Sequence, residues 1–247
     1  DDYTRHLYEQ YGSMCGDLHT DLHECVGHGS GKLLPGVTKD ALKEHASTIE
    51  EARADLFGLY FMADPKLVEL GLLPNGEAYK AFYYQQMMNG LMTQLVRIEP
   101  GKDIEEAHMR NRQLIAQWVY WHAKNNEVEI VERDGKHYLK INDYEGLRTL
   151  YGQLLAEIQR ITSEGDYAAA KEIVETYAVK VNQPLHREIL ERYAHLNLAP
   201  YKGFVNPVYT PVYDAEGNIT DVKIDYTEGY VEQHLRYSRD YSWLPDI

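Results

Sequence analysis

The chain has 247 residues, enough to bury a substantial core as one large domain or two small ones. Its 39 acidic against 25 basic side chains give a formal charge of -14, which repels a phosphate backbone and argues against a nucleic-acid partner. No apolar run reaches the roughly 20 residues of a membrane span, and two cysteines make no disulfide framework, so the reading is a cytoplasmic protein off the membrane.

In chain order, apolar positions recur at helical spacing from residue 5 to 26, and the Gly27–Gly36 stretch must end or distort that helix. Thr38 is placed to cap a second helix running to Met62, where Asp64-Pro65 stops it. Asn75 caps a third, to Arg97. Asp103 opens a fourth, to Lys124, with Glu105 and Glu106 in its first turn, where the helix dipole favours negative charge. Between 127 and 141, Val128, Ile130, Val131, Tyr138, Leu139 and Ile141 flank Asp134-Gly135, a hairpin signal. Helical spacing resumes over 143–163, 166–178 and 184–195. Two short strands, Val208–Tyr213 and Val222–Tyr226, are expected around Glu216-Gly217-Asn218, and a last helix over 228–238. The expectation is a mainly α fold with small β-hairpins near 127–141 and 208–226, as a single domain over residues 1–247. The 21 tyrosines, against four phenylalanines, suit half-buried walls and contact surfaces, or a core with wet edges.

The chemistry concentrates in His23-Glu24-Cys25-Val26-Gly27-His28, which resembles the zinc helix H-E-x-x-H with one residue more between the histidines. At roughly 100° per residue, positions four apart on a regular helix lie within about 40°, and positions five apart diverge by about 140°. Two imidazoles five apart can share one ion only if the backbone is distorted, most simply by a π-bulge, and Gly27 is placed to relax it. His19 and His23 form a regular four-residue pair, and a site from these two with Asp21 or Glu24 competes. A catalytic zinc generally takes three protein ligands and leaves one position for water, so a further ligand must come from another element. Glu50-Glu51-Ala52-Arg53-Ala54-Asp55 offers three carboxylates on one helix, with Glu51 and Asp55 on one face, so that one can bind metal while another orients a histidine ring. Cys25 reads as a small apolar residue rather than a nucleophile, one sensitive to oxidation if it lies near a cation.

The pairing of H-E-x-x-G-H with a downstream E-E-x-R-A-[DE] resembles the dipeptidyl peptidase III family of zinc exopeptidases. Both motifs are complete here, and the 23-residue interval from His28 to Glu51 is similar to that of bacterial members. The resemblance implies one Zn²⁺ ion held by His23, His28 and Glu51, with Glu24 as general base and Glu50 and Asp55 supporting the ligands. His108-Met109-Arg110-Asn111-Arg112 resembles the family's H-x-x-x-R helix, which implies that His108 faces the scissile carbonyl and Arg112 supports substrate or transition state. It further implies release of dipeptides from the amino terminus of short peptides, and a two-lobed full-length protein of which this chain matches the C-terminal, mainly helical catalytic lobe. The residues holding the substrate's free amino terminus are then expected upstream of Asp1, where the chain opens without methionine. A structural zinc module and an endopeptidase-like metalloprotease are the competing readings.

Overall fold

The structure, a computed structural model, describes residues 2–198 and 205–242. These fall into two compact units, residues 1–196 and 197–247, a division not drawn from the sequence, and each is taken by itself.

The first unit is helical apart from one hairpin. Helix α1 (Asp2–Asp21) passes into a six-residue π-helical segment, Leu22–Gly27. Helix α2 (Ala46–Met62) follows a loop and one short 3-10 turn, Lys43–His45. It begins later than expected, because Lys43 takes a positive φ of 48° and the backbone at 38–41 closes only an i→i+3 bond, Ala41 N–H to the Thr38 carbonyl. Thr38 spends its side chain on Asp40 instead of capping a helix. A short α3 (Pro65–Glu69) and α4 (Tyr79–Leu91) come next. Asn75 Oδ1 accepts from the amides of Glu77 and Ala78, a cap-like turn ahead of α4, and the residues to Arg97 finish as a 3-10 turn. Helix α5 (Ala107–His122) is capped by Glu106, whose carboxylate accepts from the amides of His108 and Met109. The expected opener, Asp103, instead pairs with Lys180 at 2.6 Å.

Strands β1 (Val128–Arg133) and β2 (Lys136–Ile141) pair antiparallel around Asp134-Gly135, both at positive φ, as a tight hairpin turn requires. Helices α6 (Tyr144–Glu164), α7 (Tyr167–Tyr177) and α8 (Gln183–Ala194) close the unit. Each has an acceptor side chain at its start, Asp143, Asp166 and Asn182.

Helix α2 is the centre of this unit and packs against α5, α6 and the π segment, while α4 lies against α1 and α5. Its buried Ile49, Leu56, Leu59 and Met62 are each fully removed from solvent, worth about 1.5–3 kcal/mol per side chain. The tyrosines divide. Tyr79, Tyr83 and Tyr151 are buried and meet edge to face, at 4.9 and 5.0 Å between centroids, with Tyr83 Oη donating to the Leu59 carbonyl. Others, such as Tyr209 and Tyr226, lie exposed.

The second unit holds strands β3 (Val208–Tyr213) and β4 (Ile219–Asp225), antiparallel, and helix α9 (Tyr230–Tyr241). Buried Gln233 ties the helix to the chain ahead of the hairpin by exchanging hydrogen bonds with the Asn206 backbone. The described residues are mainly α with two two-stranded antiparallel sheets, the class expected. No helix among the described residues is long and apolar enough to cross a membrane.

Candidate metal centre

The backbone between the two motif histidines is not a regular α-helix. The His28 amide donates to the His23 carbonyl at 2.9 Å, a five-residue hydrogen bond that widens the turn over Leu22–Gly27. The wider turn brings residues five apart onto one side, and the two imidazole rings stand 4.6 Å apart between centroids, edge to face.

Gly27 serves a different purpose from the one expected of it. Its φ is not positive, so its backbone asks for no special freedom. What it supplies is room: a Cβ there would lie 2.8 Å from Ala54 Cα and 2.9 Å from the Ala54 carbonyl oxygen. The π segment therefore rests directly on α2, next to Glu50, Glu51 and Asp55.

That close approach gathers the acidic face of α2 around the histidines. His23 Nδ1 donates to Asp55 Oδ1 at 2.7 Å, and His28 Nδ1 donates to Glu50 Oε1 at 2.9 Å. Both Nε2 atoms face Glu51 Oε2, at 3.3 Å from His23 and 3.9 Å from His28. His108 Nδ1, on α5, lies 3.3 Å from the same oxygen. Glu51 Oε2 is buried and has no hydrogen-bond partner. A buried carboxylate oxygen left unpaired is costly, and a cation is the natural partner for it. Among the described residues, His23, His28 and Glu51 form the one group of three whose donor atoms all lie within 4.8 Å of one another. Two imidazoles and a carboxylate suit a catalytic zinc, and carboxylates behind the ligand histidines fix ring orientation and tautomer. The residues present thus fit the metal.

The electrostatics follow from this packing. Burial opposes a charge on His23, but the hydrogen bond to Asp55 and the charges of Asp55, Glu51 and Glu24 outweigh it and raise its pKa. Burial likewise works to raise the Asp55 pKa, and the His23 hydrogen bond with the charges of His19, His23 and Arg112 brings it below the ordinary value. For Glu50, bonds from Arg53 and His28 overcome burial in the same direction.

The remaining residues singled out from the sequence are distributed as follows. Glu24 is exposed on the π segment, beside His23 in sequence. Arg112 is half-buried on α5, one turn after exposed His108, and its charge is felt at His19 and Asp55. The competing His19 site does not assemble. His19 Nε2 meets the Asp55 carbonyl at 3.2 Å, its ring stacks on Phe82 at 4.4 Å, and burial lowers its pKa. Cys25 is exposed and Cys15 buried, both as free thiols.

Sequence reading missed Arg53. Its side chain is buried and donates twice to Glu50 and once to Ser30. The Glu50–Arg53 pair, three apart on a helix, was the available signal. A cavity of about 560 Å³ adjoins this side of the centre, bounded by His28, Ser30, Leu42, Ser47, Glu50 and Arg53. A larger one, about 1020 Å³, lies between α2 and α6 against Phe57, Tyr60 and Phe61, away from His23 and Glu51.

Residues 35–206 match the family described as Peptidase family M49, a span that begins after His28 and includes Glu50, Glu51, Asp55, His108 and Arg112. The chain is 25% identical over 220 residues to Dipeptidyl peptidase 3 of Mus musculus, and 25% to that of Homo sapiens, covering 72% of this chain and 30% of each of those proteins. It therefore spans about 30% of the length of the curated relatives it matches. Among solved structures it is similar to DPP III from Caldithrix abyssi, with a TM-score of 0.53 and 26% identity over 70% of this chain and 32% of that one. The fold is also shared with dipeptidyl-peptidase III from Corallococcus sp. strain EGB, at a TM-score of 0.53 and 24% identity over 72% of this chain and 31% of that one.

Proposed function

This chain belongs to peptidase family M49, and from that membership we propose that it is the zinc-binding catalytic part of a dipeptidyl peptidase, acting on the amino terminus of short peptides. The observation that carries the reading is Glu51 Oε2, buried and without a hydrogen-bond partner, while the Nε2 atoms of His23 and His28 face it. His23, His28 and Glu51 would hold one Zn²⁺ ion. When bound, zinc polarises the scissile carbonyl and lowers the pKa of water towards about 7.

The chain's own groups do the rest. Asp55 and Glu50 accept the Nδ1 protons of His23 and His28, which leaves both Nε2 lone pairs free for the metal. Without metal, the raised pKa of His23 favours a proton on the ring, so binding the ion competes with that proton and weakens as pH falls. Glu24 takes the proton of the attacking water on its carboxylate and passes it to the leaving amine. His108 and Arg112, one helical turn apart, donate to the oxyanion that develops on the scissile carbonyl.

The groups that hold a substrate's free amino terminus we assign to the part of the relatives' length that this chain does not span, the other lobe of the full-length protein. The cytoplasm is the compartment we assign, since both thiols are free.

The test is hydrolysis of dipeptidyl-arylamides by the full-length protein, with free and with acetylated amino termini, with and without chelator. The expected result is cleavage of the free substrates alone, abolished by chelator and by Glu24→Gln. Cleavage of blocked peptides points instead to an endopeptidase, and no cleavage with zinc retained points to a structural metal site. Hydrolysis untouched by chelation contradicts the zinc mechanism.

A further inference from the structure

The two histidines of the centre are held very differently. His23 is buried and grips Asp55 directly, and Asp55 is itself buried on α2. His28 comes at the exit of the π segment, is more exposed, and leads into irregular backbone. Its ring partner, Glu50, is half exposed, and a carboxylate on a free side chain fixes a ring poorly, because its rotamers remain available.

Arg53 removes that freedom. Its Nε donates to Glu50 Oε2 at 3.0 Å and one terminal nitrogen donates to Glu50 Oε1 at 2.7 Å, a two-pronged grip on both carboxylate oxygens. Oε1 is the oxygen that also accepts from His28 Nδ1. The other terminal nitrogen donates to Ser30 Oγ at 3.1 Å, and Ser30 Oγ donates in turn to the Gly27 carbonyl at 3.0 Å. The same guanidinium therefore holds the carboxylate behind the His28 ring and the backbone on either side of His28. The loop is pressed closely onto it: a Cβ at Gly31 would fall 2.9 Å from Arg53 Nη1.

We propose that Arg53 is a positioning residue for the metal centre, fixing the ring plane of His28 through Glu50 and its backbone through Ser30. The proposal rests on the reading of His23, His28 and Glu51 as metal ligands. What it demands is a planar fork, with two parallel donors for the Glu50 carboxylate and a further donor on the opposite side for Ser30, which an ammonium cannot supply. Charge alone is not enough.

Arg53→Lys keeps the charge and the aliphatic stem and loses the fork. In the full-length protein, zinc affinity is measured by competition with a chromophoric chelator, and the ligand field by the visible spectrum of the cobalt-substituted form. Arg53→Lys is expected to weaken zinc binding about 10-fold or more, in the range seen for residues behind metal ligands, and to shift the cobalt bands. In a Glu50→Gln background the same substitution is expected to cost clearly less than in wild type, since the two-pronged grip on Glu50 is already lost and only the tie through Ser30 remains. Wild-type affinity and spectrum in Arg53→Lys overturn the proposal, as does an equal loss in the Glu50→Gln background. Should Arg53→Lys not fold, Ser30→Ala decides: affinity falls several-fold if the loop tie holds His28, and unchanged affinity contradicts it. A wild-type protein that binds no zinc refutes the metal centre itself; one that binds zinc equally with and without the fork refutes only the role of Arg53.

Discussion

The amide of His28 donates to the carbonyl of His23 across 2.9 Å, and this one hydrogen bond brings two rings five residues apart onto one side of the turn. In a regular helix the two rings would diverge by about 140°. With the π turn they stand edge to face at 4.6 Å, both with Nε2 towards Glu51. The π turn is thus what the extra residue in the motif requires if the two rings are to face one point.

The π segment stays in register with α2 because nothing stands between Gly27 and Ala54. Gly27→Ala is expected to push the two apart, costing about 1–3 kcal/mol as overpacking does, and to weaken zinc binding in parallel. Thermal melting of the metal-free protein and chelator competition read the two effects; a variant with unaltered stability and affinity contradicts the close approach.

The hairpin β1–β2 is anchored to α8 by Glu188, which accepts from the amide and ring of His137 and from Arg192. Burial works to raise the Glu188 pKa, but these bonds outweigh it and the pKa is lowered. A carboxyl whose folded pKa lies below its unfolded value stabilises the protein fully above the unfolded pKa, about 4.3, and loses that contribution as pH falls through the folded one. Glu188→Gln is therefore expected to melt below wild type at pH 7, by the equivalent of about 1–3 kcal/mol, with the gap closing below about pH 4. Melting curves across that range check it, and a gap independent of pH contradicts the assignment.

The two thiols should differ in reactivity. Cys15 is buried, donates to the Ala78 carbonyl at 3.3 Å, and has its pKa pushed up to about 11 by burial, whereas Cys25 is exposed on the π segment. With a maleimide at pH 7, Cys25 should be labelled in the native protein and Cys15 only on unfolding. Mass spectrometry of the labelled peptides decides, and early labelling of Cys15 runs against the packing described.

Much of this was legible in the sequence because the signals were local. Asp134-Gly135 set the first hairpin, and the strand Val208–Tyr213 follows from alternation and composition. The need for a bulge between His23 and His28 follows from counting residues per turn. Less legible were features decided by partners far along the chain. Asp103 looked like a cap, and its carboxylate is taken by Lys180, 77 residues on; Glu106 caps instead. Gly27 reads from the sequence as the residue that relaxes the bulge, when what matters is Ala54 across the interface. Arg53 drew no attention because its role depends on Ser30, from a loop 23 residues earlier, meeting it on the far side of Glu50.

The central claim is that Glu51 completes a metal centre with His23 and His28. The direct measurement is zinc content by atomic absorption of purified wild type, Glu51→Ala and Glu24→Gln. One zinc per chain is predicted in wild type and in Glu24→Gln, and its loss in Glu51→Ala. Zinc retained at one per chain in Glu51→Ala would contradict the account.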